Sequence, residues 1–322
     1  MARKIHTPSS DGDPIYGFKP GQPTVWFHNN RELSNKHCLY CGIDVSDPLV
    51  HSNREHLIGR EFTPTGFLGG DAFNLIFRGC KECNDYKCDL ERHASTVSLL
   101  LSPARAELAE IDALALHKAR SDYHPTHRGK KVISSGGQHS LSARMGPASI
   151  KMGFTRPPQL DQDVASELAC MHVQGIFSAI TSLDPTRTES FGFLDAARIV
   201  LPRPFQYRDW GNPQLIAIVR RVQGWALTGA LSTAKGFFRA EFRRDAAQED
   251  GGTGEWFWAL EWNQSFRTVG VIRPMGEPVE GSPLLKGLPT LEWIRASSTD
   301  RMRREYPLHD DEEDLLFAAT VA

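Results

Sequence analysis

Three short stretches hold most of the residues whose types and spacing could do chemistry. Cys38 and Cys41 form one Cys-x-x-Cys pair, Cys80 and Cys83 form a second, and REHLIGREF (Arg54 to Phe62) lies between them. Paired cysteines at this spacing read as thiolate ligands for a metal rather than as a disulfide framework in a reducing compartment. Two such pairs can close a tetrahedron of four thiolates, the usual geometry of a structural Zn²⁺ site. The intervening stretch supplies Glu55 and His56, then Asn74 in FNLIF, and the second pair runs straight into Asn84 and Lys87. An imidazole with a pKa near 6.5 can take a proton from water at neutral pH. Carboxylate and amide oxygens suit a hard cation such as Mg²⁺ or Mn²⁺.

In this order, two cysteine pairs, an acid–His pair, Asn-Leu and Cys-Asn-x-x-Lys, residues 36–95 resemble an HNH endonuclease. The resemblance implies a ββα-metal fold, a two-stranded hairpin followed by a helix, flanked by a four-cysteine zinc knuckle. It implies hydrolysis of DNA phosphodiester bonds, with restriction or anti-phage defence as the first context. It assigns His56 as general base, Glu55 and Asn84 as ligands of the catalytic divalent cation (Mg²⁺ or Mn²⁺, with Ni²⁺ as an alternative), and Asn74 as the residue that pins the loop orienting His56. Lys87 falls where the substrate phosphate is often met, although a surface lysine paired with Glu91 at i+4 reads equally well. The chain departs from the family pattern at Gly59, where Pro is common, and in the stretch from Asn74 to Cys80, which is one residue longer than the familiar spacing. Glu55 and His56 are adjacent, so on a regular strand they point to opposite faces; both serve one site only if the strand bends or bulges. The rival class is a zinc-knuckle module that binds nucleic acid or a partner without cutting. RNA stays open as a substrate.

The elements that must position these residues read as α+β. An irregular arm (1–35) precedes the HNH module (36–102). A helix and a basic Gly/Ser/His-rich linker (103–155) lead to an α+β domain with an antiparallel sheet (156–322). KECNDYKCDLERHASTVSLLL suits a helix of several turns, and ARAELAEIDALALHKA a second, with Pro103 as the break between them. Asp161 to Leu183 reads as a helix; QLIAIVRRV, GWALTGAL, KGFFRAEFRR and EWFWALEWN read as strands, the third with the clearest period of two. EDGGTG (249–254) suggests the loop of a hairpin, and DDEED (310–314) an exposed acidic end.

Composition sets outer bounds. With 322 residues, 24% charged and 40% hydrophobic, the chain is long for one core and ordinary for a soluble protein. No apolar run approaches the roughly 18 residues that span a bilayer. The start has no apolar signal core, so a cytoplasmic protein is expected. Net charge is −2, but Lys118, Arg120, Arg128, Lys130, Lys131, Arg144, Lys151 and Arg156 face one acid, Asp122, between His117 and Pro157. That stretch is either a solvated linker or a phosphate-contacting arm. Trp256, Trp258 and Trp262 share strand parity, as core against the 161–183 helix or as a platform for stacking bases. Arg239 and Arg243 share a strand face that could meet phosphate. The second domain could recognise DNA, bind a small-molecule activator or recruit a protein, and a double-strand break would require a dimer or two events.

Overall fold

A computed structural model describes residues 38–41, 43–68, 74, 76–125, 129–136, 138–155, 157–181, 205–206, 212–245, 255–272, 281–295, 301–303 and 316–317. The N-terminal arm and the acidic DDEED run lie outside the described residues. The architecture is α+β. Strands β1 (Ser52–His56) and β2 (Ile76–Cys80) pair antiparallel and lead directly into helix α1 (Lys81–Leu101). This order, strand–strand–helix, is built around the cysteine pairs.

The second expected helix divides in two, α2 (Ala104–Glu107) and α3 (Ala109–Ser121), with Leu108 in an extended conformation between them. Ser102 also turns extended, as the residue before Pro103 must, and ends α1. The stretch expected as a linker contains instead a two-stranded ribbon, β3 (Gln138–Met145) and β4 (Ala148–Thr155). Its alternation, ASIKMGFT, is masked in composition by Gly and Ser.

Helix α4 (Gln162–Thr181) follows, then β5 (Phe205–Gln206) and helix α5 (Pro213–Val222). The QLIAIVRRV segment, expected as a strand, is this helix. Asn212 caps it, accepting from Gln214 N and Leu215 N, with Pro213 at the first turn. Leu215, Ile218, Val219 and Val222 are buried at i, i+3, i+4 and i+7. The capping pair overrides the β-branched content that suggested a strand.

Strands β6 (Ala226–Thr233), β7 (Phe238–Arg244), β8 (Trp256–Trp262) and β9 (Phe266–Ile272) complete an antiparallel sheet of order β5-β9-β8-β7-β6. A small antiparallel pair, β10 (Trp293–Arg295) and β11 (Arg301–Arg303), follows. Both faces of the central sheet are covered. Trp256, Trp258, Leu260 and Trp262 belong to the main core with α4, while Phe257 and Ala259 pack with α5 residues. Trp258 and Trp262 are wholly buried, so these tryptophans are core and not a stacking platform. Arg239 lies over the Phe317 ring and donates to Phe317 O, and Arg243 pairs with Glu241, so neither presents the phosphate-facing surface read from the strand pattern.

The main core runs without a break from Cys38, Leu57 and Phe62 through Leu90 and Val97 to Leu168, Phe238 and Trp262. Residues read as two separate units therefore share one interior. Polar contacts tie the seam as well. Asn263, at a left-handed turn position (φ 51°), donates to Phe62 O and Ser98 Oγ, and Ser265 Oγ donates to Ser98 O at 2.6 Å. Asn is among the few residues that hold this conformation at low cost. Among the described residues, no helix is long and apolar enough to cross a membrane.

Candidate functional site

The four cysteines converge. Cys38 and Cys41 sit on a turn closed by Cys38 N donating to Ile43 O, Cys80 ends β2 and precedes α1, and Cys83 lies in the helix's first turn. Their sulfurs all lie within 4.8 Å of one another, and Cys41 Sγ is 3.6 Å from Cys80 Sγ. Zn–S bonds of about 2.3 Å set tetrahedral S···S edges near 3.8 Å. The group can hold a metal ion and is compatible with structural zinc. The thiols are strongly coupled: contact with Cys38 lowers Cys41 and raises Cys80 and Cys83. Sulfurs this close cannot all be thiolates unless a cation sits among them.

The hairpin built on this cluster has two unlike faces. Its register is regular throughout, Ser52↔Cys80 to His56↔Ile76, with no bulge. Glu55 and His56 therefore point to opposite sides. The inner side faces α1: Glu55 is 3% exposed, and a Cβ on Gly79 would meet the Glu55 Cβ at 3.2 Å. The outer side carries Arg54 directly opposite Arg78, with His56 two residues along.

Inside, Lys87 is the centre of a buried polar cluster. Its ammonium, 1% exposed, reaches Glu55 Oε1 at 2.9 Å, Glu91 Oε1 at 2.7 Å and His56 O at 3.0 Å. Tyr40 donates to Glu55 Oε1 at 3.3 Å, and His172 Nε2 of α4 stands 3.4 Å from Glu91 Oε1. Burial, the largest influence, pushes Glu55 up to about 7 in spite of Lys87. Burial also acts against Glu91, but Lys87 and His172 outweigh it and hold that carboxyl below its usual range. Lys87 stays charged: burial opposes its ammonium, and Glu91 and then Glu55 overcome it.

Two sequence-based assignments change here. Lys87 does not face a phosphate, because its Nζ is enclosed between two carboxylates and a carbonyl. Glu55 does not present its anion to a cation beside His56; alternation turns it inward, where Lys87 takes Oε1. Asn84 is on the helix side, its Nδ2 donating to Asn53 Oδ1 at 2.7 Å while Cys88 Sγ approaches Asn84 Oδ1 at 3.6 Å. Glu55 and Asn84 therefore do not fit a shared hard cation, since the Lys87 ammonium already holds Glu55 Oε1. Among the described residues, the cysteine cluster is the one group of three or more His, Cys, Asp or Glu able to hold a metal.

The turn after His56 is held from three directions. Asn74 Oδ1 accepts from Ile58 N at 3.0 Å and its Nδ2 donates to Ile58 O at 2.6 Å. Gly59 N donates to Glu91 Oε1 at 2.8 Å, and a Cβ at Gly59 would fall 2.2 Å from Glu91 Oε2. Proline there would lose the donor as well as the space, which accounts for glycine. From behind, α4 presses on Leu57 at Gly175, where a Cβ would come within 2.3 Å of Leu57 Cδ1. His56 itself is half-buried. Burial first, then Arg60, Arg54 and Lys87, lower its pKa, so it is a neutral imidazole at pH 7.

Of the nearby histidines, His51 is exposed and lends its carbonyl to Lys81 N, and His93 is buried and accepts from Asp161 N. Tyr40, Glu91, His172 and Gly175 were not foreseen as parts of this arrangement. The Lys87–Glu91 spacing was visible; nothing local points from Glu91 to His172, 81 residues away.

Comparison with protein families, curated proteins and solved structures finds no match for the chain.

Proposed function

We propose that the chain hydrolyses phosphodiester bonds in nucleic acid, with DNA the first substrate and His56 the general base. One observation carries this reading: the outer hairpin face sets a half-buried, neutral imidazole beside the cross-strand pair Arg54–Arg78, with Arg60 in the following turn. Arg78 also donates to Ser52 Oγ at 2.8 Å, which holds its guanidinium at this face, where an anion can meet it together with Arg54. A phosphodiester is such an anion, and guanidinium groups match its oxygens in a forked geometry. Water near the phosphorus can then lose a proton to His56 as the new P–O bond forms; the P–O bond to the 3′-oxygen breaks, that oxygen takes a proton from water, and the imidazolium returns its own to solvent, while the arginines stabilise the negative charge that develops on the non-bridging oxygens. Lys87, Asn74 and Glu91 act by holding the backbone at His56 and just after it, which fixes the imidazole's approach.

The second reading is a non-catalytic zinc-knuckle module that binds nucleic acid. The closed Glu55–Lys87 pair favours it, because the acid expected to bind a catalytic cation is already neutralised. Nicking of supercoiled plasmid by wild type and His56→Ala, with Mg²⁺, Mn²⁺ or Ni²⁺ and with EDTA, separates the two. Cutting that is lost in the variant supports the hydrolase, and the cation series shows whether a divalent ion takes part. Equal cutting by both proteins removes His56 as base. No cutting under any condition leaves the binding module.

A further inference from the structure

We propose that the β3–β4 ribbon is an arm that enters a groove of duplex DNA. Among the described residues its strands, Gln138–Met145 and Ala148–Thr155, pair only with each other, in an unbroken register from Gln138↔Thr155 to Met145↔Ala148. Side chains alternate faces along a strand, yet every residue from Gly146 to Gly153 is exposed, including Ile150 at 44% and Met152 at 56%. Both faces of β4 are thus open. A two-stranded ribbon alone is marginal in water, so this one is built to meet a surface.

Charge identifies that surface. From Tyr123 to Leu160 the sequence contains no Asp or Glu, but Arg128, Lys130, Lys131, Arg144, Lys151 and Arg156. Lys131 lies over the Tyr123 ring and donates to Ser121 O, so it serves the mount and not the arm. The register places Arg144 opposite Ser149 and Lys151 opposite Ser142, basic and hydroxyl residues of the kind that contact phosphate and sugar. The ribbon is roughly 25 Å long at about 3.3 Å per residue. The major groove of B-form DNA, about 12 Å wide, admits a two-stranded ribbon, and the deep, narrow major groove of A-form RNA does not. The tip, Gly146 (φ 59°) and Pro147, is small and apolar, with Met145 before it. The mount is firm at both ends: Val132 is wholly buried and Leu160 is 9% exposed, and Tyr123 and Lys131 form a bridge at the root.

The inference deepens the hydrolase reading by naming how duplex DNA is held, and it is tested by binding, apart from cutting. Full-length His56→Ala protein and the same protein with Arg144→Glu and Lys151→Glu are titrated with a fluorescent DNA duplex of about 30 base pairs, enough to exceed the ribbon's reach. The matching RNA duplex is the second probe, and thermal unfolding checks that the two substitutions leave the fold unchanged. The expected result is a loss of about tenfold or more in DNA affinity, a log K against log salt slope shallower by about 2, and weaker binding of RNA. Loss of DNA binding in the charge variant upholds the arm even if wild type never nicks plasmid, which would sink the hydrolase reading alone. Unchanged affinity overturns the proposal, as does absence of DNA binding in the parent or equal binding of RNA. A Met152→Ser variant that turns a dimer into a monomer in sedimentation while DNA affinity is retained also overturns it, and makes the ribbon an interface between copies.

Discussion

Asn74 grips Ile58 with both ends of its amide, accepting from the backbone N–H at 3.0 Å and donating to the carbonyl at 2.6 Å. Ile58 is two residues beyond His56, so this clamp sets where the strand ends and how the imidazole leaves it. Two hydrogen bonds of about 1 kcal/mol each are at stake, more if the Ile58 groups stay buried unpaired. Asn74→Ala is expected to lose about 2 kcal/mol in urea unfolding. Asn74→Asp keeps the acceptor and loses the donor, and should fall between. Plasmid nicking is expected to drop further than stability, because His56 loses its aim; parallel losses would make Asn74 a stabilising residue only.

Zinc content should be equimolar with the chain by elemental analysis, and Cys83→Ser should abolish it. The cysteines hold Cys38–Cys41 against the start of α1, so metal loss frees the hairpin from its helix. Far-UV and thermal measurements are expected to show a large fall in stability with chelator. A chelator-treated protein with unchanged melting would rule out a structural metal.

The Glu55–Lys87–Glu91 cluster predicts a pH signature. Glu55 is raised to about 7, so the folded state holds its proton more tightly than the unfolded chain does between about 4.5 and 7. That contribution is fully present below the unfolded pKa and is lost as pH rises through about 7. Glu91 is lowered, so its contribution is present above the unfolded value and lost as pH falls through the folded one. The difference between wild type and Glu55→Gln isolates the first effect: their stabilities should diverge between about pH 4.5 and 7, in favour of the variant at high pH.

Lys87→Met leaves two carboxylates buried without their cation. Such a break costs about 3–5 kcal/mol. Adding Glu55→Gln should restore part of the loss, as removal of the surplus charge requires. Failure of the second change to help would show that Glu55 can find water or another partner.

His56 has its pKa lowered by burial and by Arg60 and Arg54, so the acid limb of the cutting rate should centre below 6.5, with a plateau above. Arg60→Gln removes one of those charges and should move the limb to higher pH. A limb that ignores Arg60 would assign it to another group.

Gly175 tests whether α4 supports the turn. Alanine in a helix interior gains about 1 kcal/mol of propensity, whereas overpacking against Leu57 costs about 1–3. A net loss is expected for Gly175→Ala, and a double change with Leu57→Ala should cost less than the sum.

Much of the site's chemistry was legible in the chain itself. The two Cys-x-x-Cys pairs announce a closed metal cluster because thiolate spacing is local, and the run after Cys83 announces a helix because nothing in it breaks one. Adjacency of Glu55 and His56 already implied opposite faces on a regular strand. Local patterns misled at 214–222, where β-branched residues suggested a strand but Asn212 and Pro213 start a helix, and at 138–155, where Gly and Ser hid a ribbon. Tertiary structure alone decided which hairpin face is buried, and so which of the two adjacent residues is turned inward against Lys87. It brought His172 to Glu91 and Gly175 to Leu57 across long stretches of sequence. It also turned Lys87 from a surface cation into the buried counter-charge of two acids. The reason is common to all of these: period and propensity act over a few residues, whereas a buried charge is settled by whatever partners the whole fold places around it.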